Sequence, residues 1–219
     1  MVNTFDTSDR VTKQVEGSST FALTYPSLGV TEVTETVKNS AGSILQTRVS
    51  RREYNAAGYL VKHVDPNGHE LRYAYDANNQ ITRTELWEKS GTVLTLIKAV
   101  DTTYTAQGLK LTESVTLDSG EVVTTTWTYD NGWISSQQAV STANSQLFRT
   151  EYTFNRDASG VPISIASVKA RKDDGTFATT SYLYCTAADA AAAGTVCPDT
   201  SLIKSIDGPR TDVADIPTF

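Results

Sequence analysis

Histidine, cysteine and methionine are nearly missing from this chain, which has 2 His, 2 Cys and 1 Met among 219 residues. A structural zinc site needs four ligands, and neither His63 nor His69 lies near Cys185 and Cys197 in sequence, so a resident metal is not expected. An excess of positive charge is also lacking: 19 Lys and Arg stand against 25 Asp and Glu, giving a net charge of -6 and a pI near 4.9. Nucleic-acid affinity rests on clustered Lys and Arg, so this balance excludes a phosphate-binding surface. The basic groupings Arg48, Arg51, Arg52 and Lys169, Arg171, Lys172 read as solvated strand faces or hairpin tips. No apolar run approaches the ~18 residues of a transmembrane helix. Met1-Val2-Asn3-Thr4 lacks the basic-then-apolar profile of a signal peptide, which leaves a protein that stays inside the cell or a piece of a larger exported one. There is no Gly-x-Ser-x-Gly elbow, no Gly-rich phosphate loop and no His-Glu-x-x-His motif. Carboxylates such as Asp173-Asp174, and Asp212 with Asp215, fall at turns where Asp caps the backbone. No catalytic residue and no cofactor is therefore expected.

What the chain does have is a recurring phrase: an aromatic, commonly a small polar residue, a Gly or Asn turn, then a strand-like run. It occurs at Phe5-Asp6, Tyr25-Pro26, Tyr54-Asn55, Tyr75-Asp76, Tyr104-Thr105, Tyr129-Asp130 and Phe154-Asn155, with a blurred copy at Tyr184-Cys185. The copies lie 20, 29, 21, 29, 25, 25 and 30 residues apart, a loose period that marks a stacked repeat array. Hydrophobic content is only 39%, and the Thr, Val, Tyr, Phe and Trp of the chain suit a half-buried pleated surface.

Alternation at period two supplies the strands. Leu109, Leu111, Val115 and Leu117 alternate with polar neighbours, Asp118-Ser119-Gly120 turns, and Val123, Thr125, Trp127 and Tyr129 return on one face. Ile134 to Val140 goes out, Thr142-Ala143-Asn144-Ser145 turns, and Phe148, Thr150, Tyr152 and Phe154 return; Ile163 to Val168 and Ala178 to Tyr184 repeat the plan around Asp173-Asp174-Gly175. Aromatics at strand ends, as in Tyr73 with Tyr75 or Trp127 with Tyr129, line up into a stripe. One set of glycines (Gly17, Gly42, Gly68, Gly91, Gly120, Gly175) marks hairpin tips, and a second set (Gly29, Gly58, Gly108, Gly132, Gly160) follows the aromatics. Two interleaved sets predict two rows of tight turns, one along each edge of a sheet, with Asp65-Pro66-Asn67-Gly68 the strongest turn signal. The expected fold is all-β: an extended antiparallel sheet of about seven hairpins, hence about fourteen strands.

After Tyr184 the pattern stops. Ala187 to Ala193 reads as a short Ala-rich helix ended by Gly194, and Asp207-Gly208-Pro209-Arg210 as a turn, with no closing strand before Phe219. The expected division is an array over 1–184 and a Cys-bracketed loop, short helix and linker tail over 185–219. Cys185 and Cys197 form either a disulfide, contributing roughly 3 kcal/mol by the chain-entropy model, or two reduced thiols.

The wording from Glu53-Tyr54-Asn55-Ala56-Ala57-Gly58-Tyr59-Leu60 through Asp65-Pro66-Asn67-Gly68 to Arg72-Tyr73-Ala74-Tyr75-Asp76 resembles the YD repeat of bacterial Rhs proteins, itself similar to repeats of insecticidal toxin-complex proteins and teneurins. The resemblance covers residues 5 to 184, loosening outward from that unit; Tyr75-Asp76 and Tyr129-Asp130 keep the naming dipeptide and Phe5-Asp6 keeps it with an aromatic swap. The segment from Ile203 to Val213 also looks like a linker between such repeats. The resemblance implies a sheet of hairpins spiralling into a hollow shell around cargo such as a C-terminal toxin, in a secreted or cell-surface bacterial protein far longer than this chain. The family's ending before the toxin, a Tyr-Asp-Pro phrase leading to Gly-Arg and a further Asp-Pro, has no match, so shell autoproteolysis is carried over to no residue.

The leading expectation is a non-enzymatic wall segment whose partners are neighbouring YD repeats and an enclosed effector. Its signature residues are Tyr54, Gly58, Gly68, Tyr73, Tyr75, Asp76, Trp127, Tyr129, Asp130, Tyr152 and Phe154. The alternative is a surface adhesion module stacking glycans on the aromatic stripe. Regular spacing favours packing over binding, because a site usually breaks a repeat whereas packing positions obey it. A metal at His63 and His69 with Asp65 and Glu70 requires convergence, and their places across the turn are read as non-identical faces. An outer-membrane barrel requires a continuous lipid-facing apolar band, which Leu147-Arg149-Glu151 opposite Thr150 does not supply. An isolated open sheet of this kind is expected to self-associate or be partly ordered.

Overall fold

The computed structural model describes residues 1–144, 147–191, 197 and 199–209. Parts of the turn at Thr142 to Ser145, the helix end at Gly194, Arg210, and the Asp212 and Asp215 carboxylates lie outside the described residues. Secondary structure is strand with one short helix, all described pairings are antiparallel, and strand order follows chain order from the first strand to the sixteenth. The chain divides into two compact units, Met1–Thr102 with Val115–Gly120, and Thr103–Ser114 with Glu121–Phe219.

The first unit contains β1 (Val2–Phe5), β2 (Val11–Glu16), β3 (Ser19–Thr24), β4 (Val30–Lys38), β5 (Ile44–Tyr54), β6 (Leu60–Val64), β7 (Glu70–Tyr75), β8 (Ile81–Ser90) and most of β9 (Val93–Tyr104). The second contains most of β10 (Lys110–Thr116), then β11 (Val122–Asp130), β12 (Trp133–Ser141), β13 (Phe148–Arg156), β14 (Pro162–Arg171), β15 (Phe177–Tyr184), α1 (Ala187–Ala191) and β16 (Ile203–Asp207). Among the described residues there are sixteen strands where about fourteen were expected. One of those outside the expected pattern, β16, lies in the segment read as tail and pairs antiparallel with β15 from Ser181↔Asp207 to Tyr184↔Ile203.

The sheet has little conventional core. Among the described residues the buried apolar side chains are Ala99, Ala139, Pro162, Cys185 and Cys197, and most strand positions are half-buried. Stability must therefore come from cross-strand pairs and turns, each a small contribution repeated many times. The turns obey one chemical rule on both edges. Asp6, Asn39, Asn55, Asp65, Asp76, Thr105 and Asp157 each open a turn in which the side-chain oxygen accepts the backbone N–H groups two and four residues on, at 2.8 to 3.3 Å. The fourth residue of each turn (Asp9, Gly42, Gly58, Gly68, Asn79, Gly108 or Gly160) is left-handed, which Asp, Asn and above all Gly tolerate. This is the three-residue hairpin loop in which a type I turn is followed by a left-handed residue.

Where the loop is shorter, the same dipeptide does different work. Asn131 and Gly132, at φ 48° and 86°, make a two-residue turn after Asp130. Asp130 is thereby kept in β11, and its carboxylate pairs with Arg156 instead of capping a turn as Asp76 does. At Gly29 the demand is steric as well. Its φ is 73°, its carbonyl accepts the Tyr54 N–H at 2.7 Å, and a Cβ there would meet the Tyr54 carbonyl oxygen at 2.7 Å.

Candidate functional site

The repeated aromatic is the natural place to look for function, and six of its eight copies sit in the same local frame. Immediately before Phe5, Tyr54, Tyr75, Tyr129, Phe154 and Tyr184 the register shifts by one residue. The extra residue, respectively Thr12, Val61, Thr82, Ser135, Ala166 and Lys204, lies on the following strand, so two residues there oppose one. Bulges of this kind bend a strand and tighten its twist. Beyond each bulge the aromatic faces an aliphatic partner: Val11, Leu60, Ile81, Ile134, Ile165 and Ile203. Aromatic–aliphatic pairs add about 0.2–1 kcal/mol each to a sheet.

The copies fall into two interleaved series. Phe5, Tyr54, Tyr104 and Phe154 end every fourth strand, about 50 residues apart; Tyr25, Tyr75, Tyr129 and Tyr184 form the other series. In the second series the phenol does additional work. Tyr25 Oη donates to the Val11 carbonyl at 2.8 Å, Tyr75 Oη to Leu60 at 2.6 Å and Tyr129 Oη to Lys110 at 2.5 Å. In each case the acceptor is the first residue of the preceding strand, so the hydroxyl ties down the chain where it leaves a turn. The first series tolerates Phe at two of its four positions, where no hydroxyl is available. Burial, with the neighbouring Tyr73 and Tyr59, raises the Tyr75 phenol above its ordinary pKa, and the Tyr59 ring lies 5.4 Å from that of Tyr75.

The remaining signature residues are also engaged in sheet contacts. Tyr73 opposes Thr84, Trp127 opposes Gln137 with the Lys110 ammonium 5.6 Å from its ring, and Tyr152 opposes Val168. Phe154 meets Trp133 edge to face at 5.6 Å. Gly58 and Gly68 hold left-handed turn positions, and a Cβ at Gly68 would meet Lys89 Cδ at 2.5 Å. The structure joins Cys185 and Cys197 in a disulfide with their Cα atoms 5.6 Å apart.

The histidine reading needs correction on one point. The pairing His63↔Leu71 puts His63 and His69 at same-face positions and not on different faces. Protein partners engage these groups: His69 Nδ1 accepts the Lys89 N–H at 3.0 Å, Asp65 Oδ1 accepts the Asn67 and His69 N–H groups, and Glu70 is held by two cations. No group of three potential metal ligands occurs among the described residues.

Sequence reading missed a ribbon of charge on the other face of the first unit. Lys62 and Arg72 both bind Glu70, at 2.9 and 2.6 Å, and the Arg72 guanidinium lies 4.6 Å over the Trp87 ring. Trp87 Nε1 donates to Glu85, Glu85 binds Arg83 at 2.7 Å, and Arg83 Nη1 contacts both Asp101 oxygens at 2.7 Å. Burial would raise the Glu70 pKa, but hydrogen bonds from Lys62 and Arg72 and their charges outweigh it and leave the pKa lowered. The Glu85 pKa is also lowered, by hydrogen bonds from Arg83 and Trp87. The i, i+2 spacing Arg83-Glu85-Trp87 was the available signal. Every group in the ribbon is neutralised by a neighbour, so the arrangement has the character of structure and presents no unsatisfied reactive group. On the opposite face a groove of about 330 Å³ has Phe21, Leu23 and Val33 in its floor, with Glu35 and Arg48 3.7 Å apart beside them. Gln14, Glu16, Ser50, Arg52 and Pro66 complete its lining.

Residues 54–86 match the family model for the RHS Repeat. No curated protein matches the chain. Among solved structures the chain is similar to the crystal structure of TcdB2-TccC3-TEV, with 16% identity and a TM-score of 0.45, over 94% of this chain and 11% of that one. It is similar to TcdB2-TccC3-Cdc42 at 16% identity and a TM-score of 0.44, over 96% of this chain and 12% of that one. A porin-like protein from Bacteroides uniformis ATCC 8492 is similar at 12% identity and a TM-score of 0.34, over 89% of this chain and 84% of that one.

Proposed function

Because the chain carries an RHS repeat at residues 54–86, we propose that it is a non-enzymatic segment of a repeat wall, one that encloses or displays a C-terminal effector in a larger secreted or cell-surface protein. Residues 1–184 would be the array and 185–219 the tail, with neighbouring repeats and the effector as partners. The observation that carries this reading is the engagement of the repeated aromatics in the sheet itself. Their bulges, aliphatic partners and hydroxyl bonds recur at equivalent places, as packing demands and as a unique site would not. Among the described residues no helix is long and apolar enough to cross a membrane.

Extending the coding sequence on both sides tests the reading. The expected result is further repeats of this type followed by an unrelated C-terminal domain; a reading frame that ends without either contradicts it. The glycan-binding alternative is separated by an array screen. A wall segment leaves the array blank, whereas a specific hit lost in Trp133→Ala, with folding retained, would favour adhesion. Trp133 is the residue to test, because 40% of it remains exposed.

A further inference from the structure

The connection from β15 to β16 departs from every shorter link in the second unit. After β11, β13 and β14 a link of two to five residues leads into the next strand; here residues 185–202 intervene, and the ends meet through the Cys185 N–H and the Leu202 carbonyl at 2.9 Å. Two further ties close the link. Thr186 and Asp189 cap the start of α1 reciprocally, and the second Asp189 oxygen accepts from Lys204 Nζ of β16 at 2.5 Å. The other tie is covalent, between Cys185, which directly follows β15, and Cys197. Both cysteines are buried, at 4% and 2% exposure, although α1 itself has no buried residue.

We propose that this disulfide is a redox-sensitive clasp that holds β16 over the edge of β15. A dithiol reductant would supply two electrons and two protons: its thiolate attacks one sulfur, its second thiol closes a cyclic disulfide and departs, and Cys185 and Cys197 are left as thiols. The intervening chain then regains the freedom that the short covalent loop removes. Among the described residues, β16 keeps its ladder to β15 and one part-buried ion pair, Lys204–Asp189, a single contact of modest worth. Loss of β16 uncovers the backbone of Ser181 to Tyr184 and the aliphatic partners of Tyr182 and Tyr184, namely Ile206 and Ile203. In the clasped form the sheet ends on β16; in the reduced form it ends on β15, whose backbone groups freed from β16 are open to strand addition. Burial of both sulfurs means that reduction requires the link to open first, so the clasp resists weak reductants and yields to strong ones.

Amide hydrogen exchange on the full chain, with and without dithiothreitol, tests the clasp, and thiol titration reports the redox state. The expected result is fewer than one free thiol per chain before reduction. On reduction, exchange should accelerate on the order of a hundredfold at Ile203–Asp207 and at the uncovered amides of Ser181–Tyr184, while Val122–Asp130 and Phe148–Arg156 hold their rates. Cys185→Ser combined with Cys197→Ser should reproduce the reduced pattern without reductant. Lys204→Met with the disulfide intact should change β16 exchange by about threefold or less. Two free thiols in protein produced under oxidising conditions would overturn the proposal. So would unchanged exchange after reduction, acceleration spread over β11 and β13, or release of β16 by Lys204→Met alone.

Discussion

The two units finish their polar faces with different chemistry. In the first, cross-strand contacts are ionic: Glu32 with Arg51, then the ribbon from Lys62 through Glu70, Arg72, Trp87, Glu85 and Arg83 to Asp101. In the second, hydroxyl pairs recur: Thr103 with Thr112, Ser114 with Thr124, Thr128 with Ser136, and Thr153 with Ser167, at 2.6 to 2.9 Å. Ion pairs stand beside them, in the cluster Arg149–Glu151–Lys169 and in the pairs Lys110–Glu113, Asp130–Arg156 and Asp189–Lys204. Both solutions satisfy polar groups on a sheet with little core, and both leave the aromatic, bulge and turn unaltered. The repeat therefore specifies backbone geometry, and the face chemistry is free to vary so long as each polar group finds a partner.

Acid should separate the two units most strongly. The pKa values of Glu70 and Glu85 are depressed in the fold, so their contribution is fully present above the ordinary glutamate pKa of about 4.3 and is lost as pH falls through the lower folded values. The depressed carboxylates of the second unit, Asp174, Asp189 (lowered to about 2) and Asp199, lie at exposed turns and in the long link, not among the hydroxyl pairs. Exchange measured from pH 5 to pH 2.5, corrected for intrinsic rates, should show the first unit opening before β11 to β14. Simultaneous opening would erase the distinction.

A single change in the ribbon comes next. Glu70→Gln leaves Lys62 and Arg72 without their shared carboxylate and should cost about 2–4 kcal/mol, read as earlier urea unfolding of the first unit alone. Gly29→Ala should cost about 2 kcal/mol, because the new Cβ runs into the Tyr54 carbonyl. Gly160→Ala in the second unit shares a positive φ but meets open space, and should cost about half as much. Tyr75→Phe removes the bond to the Leu60 carbonyl and should cost about 1 kcal/mol by the same melts. Thr153→Val, which breaks one hydroxyl pair while keeping β-branching, should fall near 0.5 kcal/mol. If Thr153→Val equals Glu70→Gln, the two faces are energetically alike and the comparison fails.

Hairpins, turn rows and aromatics at strand ends were legible because each leaves a residue-type signature: alternation for strands, Gly and Asn for left-handed turns, and Tyr or Phe where a strand ends. The bulges were not. Thr12, Val61, Thr82, Ser135, Ala166 and Lys204 share no chemistry, since a bulged residue is defined by what opposes it and not by its side chain. The face shared by His63 and His69 was hidden for another reason: the length of the loop between Asp65 and His69 sets the β6–β7 register, and register decides which residues share a face. The role of the Asp in the naming dipeptide was half legible. Asp76 caps a turn as its type suggests, but Asp130 does not, and the difference lies in the two-residue loop at Asn131-Gly132. β16 escaped notice because the link before it is far longer than a hairpin turn and hides the pairing partner.

The central claim is that Phe5, Tyr54, Tyr75, Tyr129, Phe154 and Tyr184 each follow a one-residue register shift and face an aliphatic partner across an antiparallel hairpin. Cross-strand NOEs in the labelled full chain test it directly. The account predicts contacts from the Tyr54 ring to Leu60 and from the Tyr75 ring to Ile81, with backbone contacts of Glu53 to Lys62 and Ala74 to Arg83 marking the shift. Pairing without the shift, Tyr54 to Val61 and Tyr75 to Thr82, or the sequential amide contacts of helix over these residues, would contradict it.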